Sequence, residues 1–331
     1  MQVVVSTSGL SKTYTAGFWK TKRVVALENL TLQIQDNEIF GYLGPNGAGK
    51  STTLKLLMSL IFPTSGSAEI LGKPVSKVST RQQIGYLPEN PYFYEYLTAE
   101  EFLSYYAGLL GLSAADIKDR AGYYLKLTDT FHARKLQLRK FSKGMLQRVG
   151  IAQALINDPK VLFLDEPMSG LDPIGRREVR DLILKLKDQG KTIIFSTHIL
   201  NDVEILCDRV AVLNRGKLIG SGNLSGLISK EVKYIEVLFS GLSVGEARQL
   251  FDSSHSITQS GSTIRLEIGA ESKITDVVRP IEQAGGKILS VTPIRQTMED
   301  YFFTLVGEGR KKASLEPSNQ EREAEWKNTN A

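Results

Sequence analysis

Apolar positions along the chain keep two rhythms, and the switches between them mark out the elements. Val3 to Ser6 reads as a strand and Val24 to Ile34 alternates as a strand does, which predicts a small antiparallel sheet ahead of the core. Ile39 to Leu43 is a short apolar run, followed by a glycine-rich stretch and a helical pattern from Thr53 to Leu60. Ala68 to Leu71 and Ile84 to Glu89 are further short strands, the second ending at Pro88. Thr98-Ala99-Glu100-Glu101 has the form of a capping box. Helical spacing then carries Phe102, Tyr105, Tyr106 and Leu109 onto one face, and the pattern stays helical to Arg139. Phe141 to Met145 opens another helix that runs to Ile156. Val161 to Leu164 is apolar throughout, as in a buried parallel strand. A helix from Arg176 to Gln189, a strand from Thr192 to Ser196, a helix from Asp202 to Cys207 and a hairpin turning at Arg215-Gly216 complete this part. The alternation predicts an α/β core, residues 1–228, with a helical insert at about 98–157.

Near Gly226 the rhythm changes. Strands at Tyr234–Phe239, Ser256–Gln259, Thr263–Ile268 and Ile288–Ile294 interleave with helices at Gly245–Asp252 and Lys273–Gln283. That β-α-β-β-α-β order predicts a small ferredoxin-like α+β domain over 229–307, ending in an amphipathic turn from Met298 to Leu305. Residues 308–331 are polar, charged and poor in β-branched side chains, and are expected to be a disordered tail.

Composition narrows the picture little. A length of 331 residues allows two or three domains. The net charge of +5 suits a surface near anionic lipid and does not demand nucleic acid. Cys207 is the only cysteine, so no internal disulfide forms and a reducing compartment is the simplest home. No apolar stretch approaches the roughly 20 residues that span a bilayer, and residues 1–5 lack a signal-peptide layout. A membrane role is therefore expected to come through a partner.

Candidate chemistry begins at Gly44-Pro45-Asn46-Gly47-Ala48-Gly49-Lys50-Ser51. Between a strand and a helix, G-x-x-x-x-G-K-[ST] lets backbone N–H groups wrap a phosphate chain at a helix N-terminus. Asn46, Gly47, Gly49 and Thr52 are its expected backbone contacts. Lys50 would reach the outer phosphates and Ser51 would ligate Mg²⁺. Asp165, at the end of the buried strand, could hold Mg²⁺ opposite Ser51, directly or through water. Glu166 beside it is a candidate general base for the attacking water. His198, also at a strand end, either senses the terminal phosphate or is structural. Tyr14 either stacks on a purine or packs at a sheet edge. The cluster Tyr92, Phe93, Tyr94 and Tyr96 is either loop packing or a partner contact, and His255 is isolated, in a loop.

Taken in order, Gly44–Ser51, Phe141-Ser142-Lys143-Gly144-Met145-Leu146-Gln147-Arg148, Val161–Glu166, Ser169-Gly170-Leu171-Asp172 and His198 resemble the motifs of ABC transporter ATP-binding subunits over residues 3–225. The resemblance implies a P-loop ABC ATPase core with an N-terminal antiparallel β subdomain and a helical subdomain. It implies ATP and Mg²⁺, and a homodimer in which each phosphate loop is closed by the partner's signature stretch. It matches Tyr14 to the adenine-stacking aromatic, with Phe18 and Trp19 as competitors. Ser142 and Gly144 match the signature contacts made in trans, and Asp172 the inter-subunit loop. Asp165 and Glu166 match the metal carboxylate and base, and His198 the switch histidine.

Two positions depart from the family pattern. The signature L-S-G-G-Q is F-S-K-G-M here, which adds a charge at Lys143, near the partner's γ-phosphate, and removes an amide at Met145. Glu89 stands where a glutamine that touches Mg²⁺ is usual, and could itself ligate the metal. Both departures, with the C-terminal appendage, resemble the branch that serves separately encoded ABC-2-type export permeases. The implied place is the cytoplasmic face of the membrane, with motion passed to the permease through Glu89 to Tyr96 and no nucleic-acid partner. The C-terminal domain would be a regulator, a ligand sensor, a dimer brace or a plain appendage. The alternative is a soluble ABC ATPase acting on ribosomes or DNA. It sits poorly with one motif set and with a short interval, free of sustained heptads, between phosphate loop and signature. A small P-loop kinase or GTPase leaves Ser142-Lys143-Gly144 and His198 unexplained.

Overall fold

The computed structural model describes residues 2–16, 22–227, 232–251, 256–295 and 297–305. Phe18, Trp19, His255 and the predicted tail 308–331 lie outside the described residues. The chain divides into two compact units, one up to Leu224 and one over Ser225–Thr304.

The first unit opens with β1 (Val3–Ala16), β2 (Lys22–Gln35) and β3 (Ile39–Leu43), followed by α1 (Lys50–Leu57). Next come β4 (Ser65–Ile70), β5 (Lys73–Pro74), α2 (Val78–Arg81) and β6 (Ile84–Leu87). The helical insert supplies α3 (Ala99–Leu109), α4 (Ala114–Leu127) and α5 (Lys143–Leu155). The core resumes with β7 (Val161–Asp165), α6 (Pro173–Asp188), β8 (Thr192–Thr197), α7 (Leu200–Leu206), β9 (Arg209–Asn214) and β10 (Lys217–Asn223). A short α8 (Leu224–Leu227) follows.

Two sheets result. The antiparallel one has order β2-β1-β4-β5, and the core sheet has order β10-β9-β3-β8-β7-β6 with β9, β3, β8, β7 and β6 parallel. Their facing apolar side chains, including Val5, Leu30, Phe40, Tyr42, Phe163 and Ile194, close a single core around Leu54, Leu56 and Leu57 of α1. The phosphate-loop helix is thus held between two sheets. The predicted antiparallel sheet is present; β2 lies close to the expected Val24–Ile34, but β1 runs 14 residues, well beyond the expected Val3–Ser6. Helix α1 starts at Lys50 rather than Thr53 and ends where Ser59 turns left-handed at φ 55°. The capping box holds: Glu101 N–H donates to Thr98 Oγ1 and Thr98 N–H to Glu101 Oε2.

The second unit contains β11 (Val232–Ser240), α9 (Val244–Leu250), β12 (Ser256–Ser260), β13 (Thr263–Gly269), α10 (Ile274–Gln283) and β14 (Lys287–Arg295). Its antiparallel sheet has order β12-β13-β11-β14, the ferredoxin-like arrangement that the element order predicted. Alternate residues Ile235, Val237, Phe239, Ile264, Leu266 and Ile268 bury one sheet face against Ala247, Val277 and Ile281. Residues 298–305 form a final helical turn.

Candidate active site

The site grows from the carboxyl ends of the parallel strands, where an open α/β sheet presents ligands. β3 leads through Gly44–Gly49 into α1, and β8 separates it from β7. Gly49 carries the turn at φ 106°, and a Cβ there would stand 2.6 Å from the Ala26 carbonyl oxygen of β2. The same β2 segment receives Gly216 of the β9–β10 turn, whose carbonyl accepts from Glu28 N–H, while Gly216 N–H donates to Ala48 O. The loop is therefore braced from the antiparallel sheet and from β9–β10 together.

Helix α1 has no side-chain cap and no acidic residue in its first turn. Helices α3, α4, α5, α6 and α9 are capped by Thr98, Ser113, Ser142, Asp172 and Ser243, whereas α2, α7 and α10 share the uncapped start of α1. Free N–H groups at a glycine-wrapped helix start favour an anion. Lys50 is buried; its Nζ donates to Gly44 O at 2.7 Å and Pro45 O at 3.3 Å and lies 3.3 Å from Glu166 Oε1. Asn46 and Gly47 are exposed at the loop tip, and Ser51 and Thr52 are half-buried at the helix start.

Ser51 Oγ donates to Asp165 Oδ1 at 3.0 Å across the two motifs. Hard oxygen donors so placed fit Mg²⁺, which takes one or two protein oxygens and fills its remaining positions from phosphate and water. Among the described residues no cluster of three or more His, Cys, Asp and Glu forms a fuller metal cage. Sequence reasoning missed Ser196. Its hydroxyl donates to the same Asp165 Oδ1 at 2.6 Å and accepts from Glu166 N–H at 2.9 Å. The available signal was a hydroxyl directly after the apolar run of Ile193, Ile194 and Phe195, near the carboxyl end of β8.

Glu166 adopts a left-handed φ of 49°, uncommon for a residue with a side chain. That twist at the strand end sets its buried carboxylate between Lys50 and His198, whose Nδ1 lies 2.9 Å from Glu166 Oε2. Glu89 is exposed, two residues past β6, and β6 lies beside β7 in the sheet. Burial, then the charges of Asp165 and Glu89, push the Tyr86 hydroxyl up to about 12.

Ser142, Gly144 and Asp172 form a second group. Ser142 caps α5 by accepting from Met145 N–H, and Asp172 caps α6 by accepting from Gly175 N–H at 2.7 Å. The two helix starts lie side by side, since a Cβ on Gly144 would sit 3.9 Å from Gly175 Cα. Lys143 directs its ammonium over Gly170 of its own chain. Among the described residues no hydrogen bond or ion pair joins Ser142 or Gly144 to residues 44–51. Tyr14 is partly exposed and pairs with Val24 across the sheet, with the Lys12 ammonium 5.2 Å from its ring centroid. No helix of the described residues is long and apolar enough to cross a membrane.

A family model described as ABC transporter matches residues 27–169. An uncharacterized ABC transporter ATP-binding protein of Synechocystis is 44% identical over 307 residues, 92% of this chain and 85% of that protein. The bacitracin transport ATP-binding protein BcrA of Bacillus licheniformis is 36% identical over 316 residues, 93% of this chain and 99% of that protein. Among solved structures, an ATP-binding subunit of an ABC transporter aligns with a TM-score of 0.59 at 34% identity, covering 68% of this chain and 91% of that one. A dimeric ATP-binding cassette in a post-hydrolysis state with ADP and Pi aligns with a TM-score of 0.61 at 28% identity, covering 66% of this chain and 98% of that one.

Proposed function

The chain belongs to the ATP-binding subunits of ABC transporters, and from that premise we propose that two copies power export through a separately encoded, ABC-2-like membrane permease. The observation that carries this reading is the separation of the site into two groups. Lys50, Ser51, Asp165, Glu166 and His198 converge at the carboxyl ends of the core strands, while Ser142, Gly144 and Asp172 gather at two neighbouring helix starts. ATP bound at the first group of one copy would be closed off by the second group of the other.

In that sandwich, backbone N–H groups of the loop and of α1 cradle the phosphates, and Lys50 neutralises the outer ones. Ser51 and Asp165 would hold Mg²⁺, with Ser196 fixing the Asp165 oxygen; a bound ion would supply positive charge to offset that of the phosphates. Glu89 is within the same field and is a further candidate oxygen. Glu166 orients and deprotonates the attacking water, and His198 holds Glu166 from the other side. Tyr14, on β1 opposite Val24 of the strand that braces the loop, is our candidate adenine platform. The export direction draws on the F-S-K-G-M signature, Glu89 and the C-terminal unit. It also draws on the match to a bacitracin transport protein, which runs past the cassette. The working place is the cytoplasmic face of the membrane.

Glu166→Gln tests the mechanism. The substitution keeps the shape and removes the base, so turnover should fall at least a hundredfold, within the range for general-base loss. ATP should still bind and trap a dimer visible by light scattering. Undiminished hydrolysis would remove Glu166 as the base, and a trapped monomer would remove the sandwich.

A further inference from the structure

Asp202 stands in the first turn of α7, just beyond His198, with its side chain wholly shielded from solvent. Neither carboxylate oxygen accepts a hydrogen bond. On α6, which packs against α7, the Arg176 guanidinium Nε is also buried and donates to nothing. Burial pushes the Asp202 carboxyl up; Arg176 and then Arg180 oppose that shift, Glu166 reinforces it, and His198 opposes it weakly. The two groups attract each other without meeting, and among the described residues Asp202 makes no ion pair.

A buried carboxylate left without a partner destabilises the state that contains it. Such a cost persists where another state uses the group. The two helices concerned are telling. α6 begins at Asp172 in the group assigned to the partner's nucleotide, and α7 directly follows His198. We infer that Asp202 is a positioning residue: when two cassettes close on ATP, the Arg176 guanidinium moves onto its carboxylate and locks α6 to α7. The lock transmits closure at Asp172 to the orientation of His198 and Glu166. The inference rests on the roles proposed above for those residues.

Full-length wild type, Asp202→Asn, Arg176→Gln and the double variant should be compared by thermal melting without nucleotide and by steady-state hydrolysis with Mg-ATP. Asparagine replaces the buried, unpartnered ionisable group with a neutral one, so Asp202→Asn should raise the melting temperature by about 2 °C. It should lower kcat about tenfold and leave KM for ATP within twofold. Arg176→Gln should lower kcat by a similar factor, and the double variant should lose no more than either single one. A residue that merely supports the fold would lose melting temperature with kcat. A lower melting temperature, failure of Asp202→Asn to fold, unchanged kcat, or multiplicative losses in the double variant would each overturn the assignment. Glu166→Gln in the same assay keeps the two readings apart: retained turnover there refutes the base and leaves the coupling of Asp202 to Arg176 to its own result.

Discussion

Gly44 and Gly144 show how one residue type answers two demands. A Cβ on Gly44 would stand 2.2 Å from the Leu213 carbonyl oxygen and 3.0 Å from the Ala48 Cβ, so the chain's own packing forbids it. A Cβ on Gly144 would meet only Gly175 Cα, at an ordinary 3.9 Å. Among the described residues nothing demands glycine there, and alanine favours a helix by up to about 1 kcal/mol. If the partner's nucleotide approaches that backbone, Gly144→Ala should melt at or above the wild-type temperature, bind ATP normally and lose at least tenfold in turnover. Gly44→Ala should melt lower and lose nucleotide binding as well. Normal turnover in a stable Gly144→Ala would mean that no second copy comes close at this position.

At the scale of elements, the signature helix is set by how it lies on the sheet. α5 presses on β6 closely enough that a Cβ on Gly85 would stand 2.1 Å from the Ala154 carbonyl oxygen and one on Gly150 2.7 Å from Leu87 Cδ1. Gly85→Ala must push α5 outward and should destabilise the cassette by about 1–3 kcal/mol, as overpacking does, read as a lowered denaturation midpoint. A midpoint equal to wild type would show that α5 can shift freely. Most such elements were legible because their signals are local. The apolar Val161–Leu164 run, the Thr98–Glu101 box and the Arg215-Gly216 turn each need only a few neighbouring residues. β1 was read too short because its pairing slips between Thr7 and Leu10 and again before Lys12, which breaks the alternation a strand should show. Ser196 was invisible for another reason. Its partner Asp165 is 31 residues away, and only the parallel register of β7 with β8 brings the two together. The left-handed turn of Glu166 likewise belongs to the strand end as folded and leaves no mark on composition.

At the scale of the whole molecule, the second unit is where a role beyond the proposed ATP-driven closure can be tested. It has its own buried face and a complete capping box from Ser243 to Glu246, so it folds around contacts internal to Ser225–Thr304. Removing it should leave the first core, which encloses α1 between two sheets, intact. If each chain carries two half-sites, as proposed, the isolated monomer should bind ATP but barely hydrolyse it, and specific turnover should rise with protein concentration until dimers saturate. If the second unit braces the pair, a chain ending at Lys230 should keep the same saturated turnover. It should need at least tenfold more protein to reach half of it, because the truncation removes contacts between copies and touches no residue of the site. Superimposed curves would make the unit a plain appendage as far as assembly goes. A truncated chain with lower turnover at saturation would place its influence on the chemistry rather than on the encounter of the two copies.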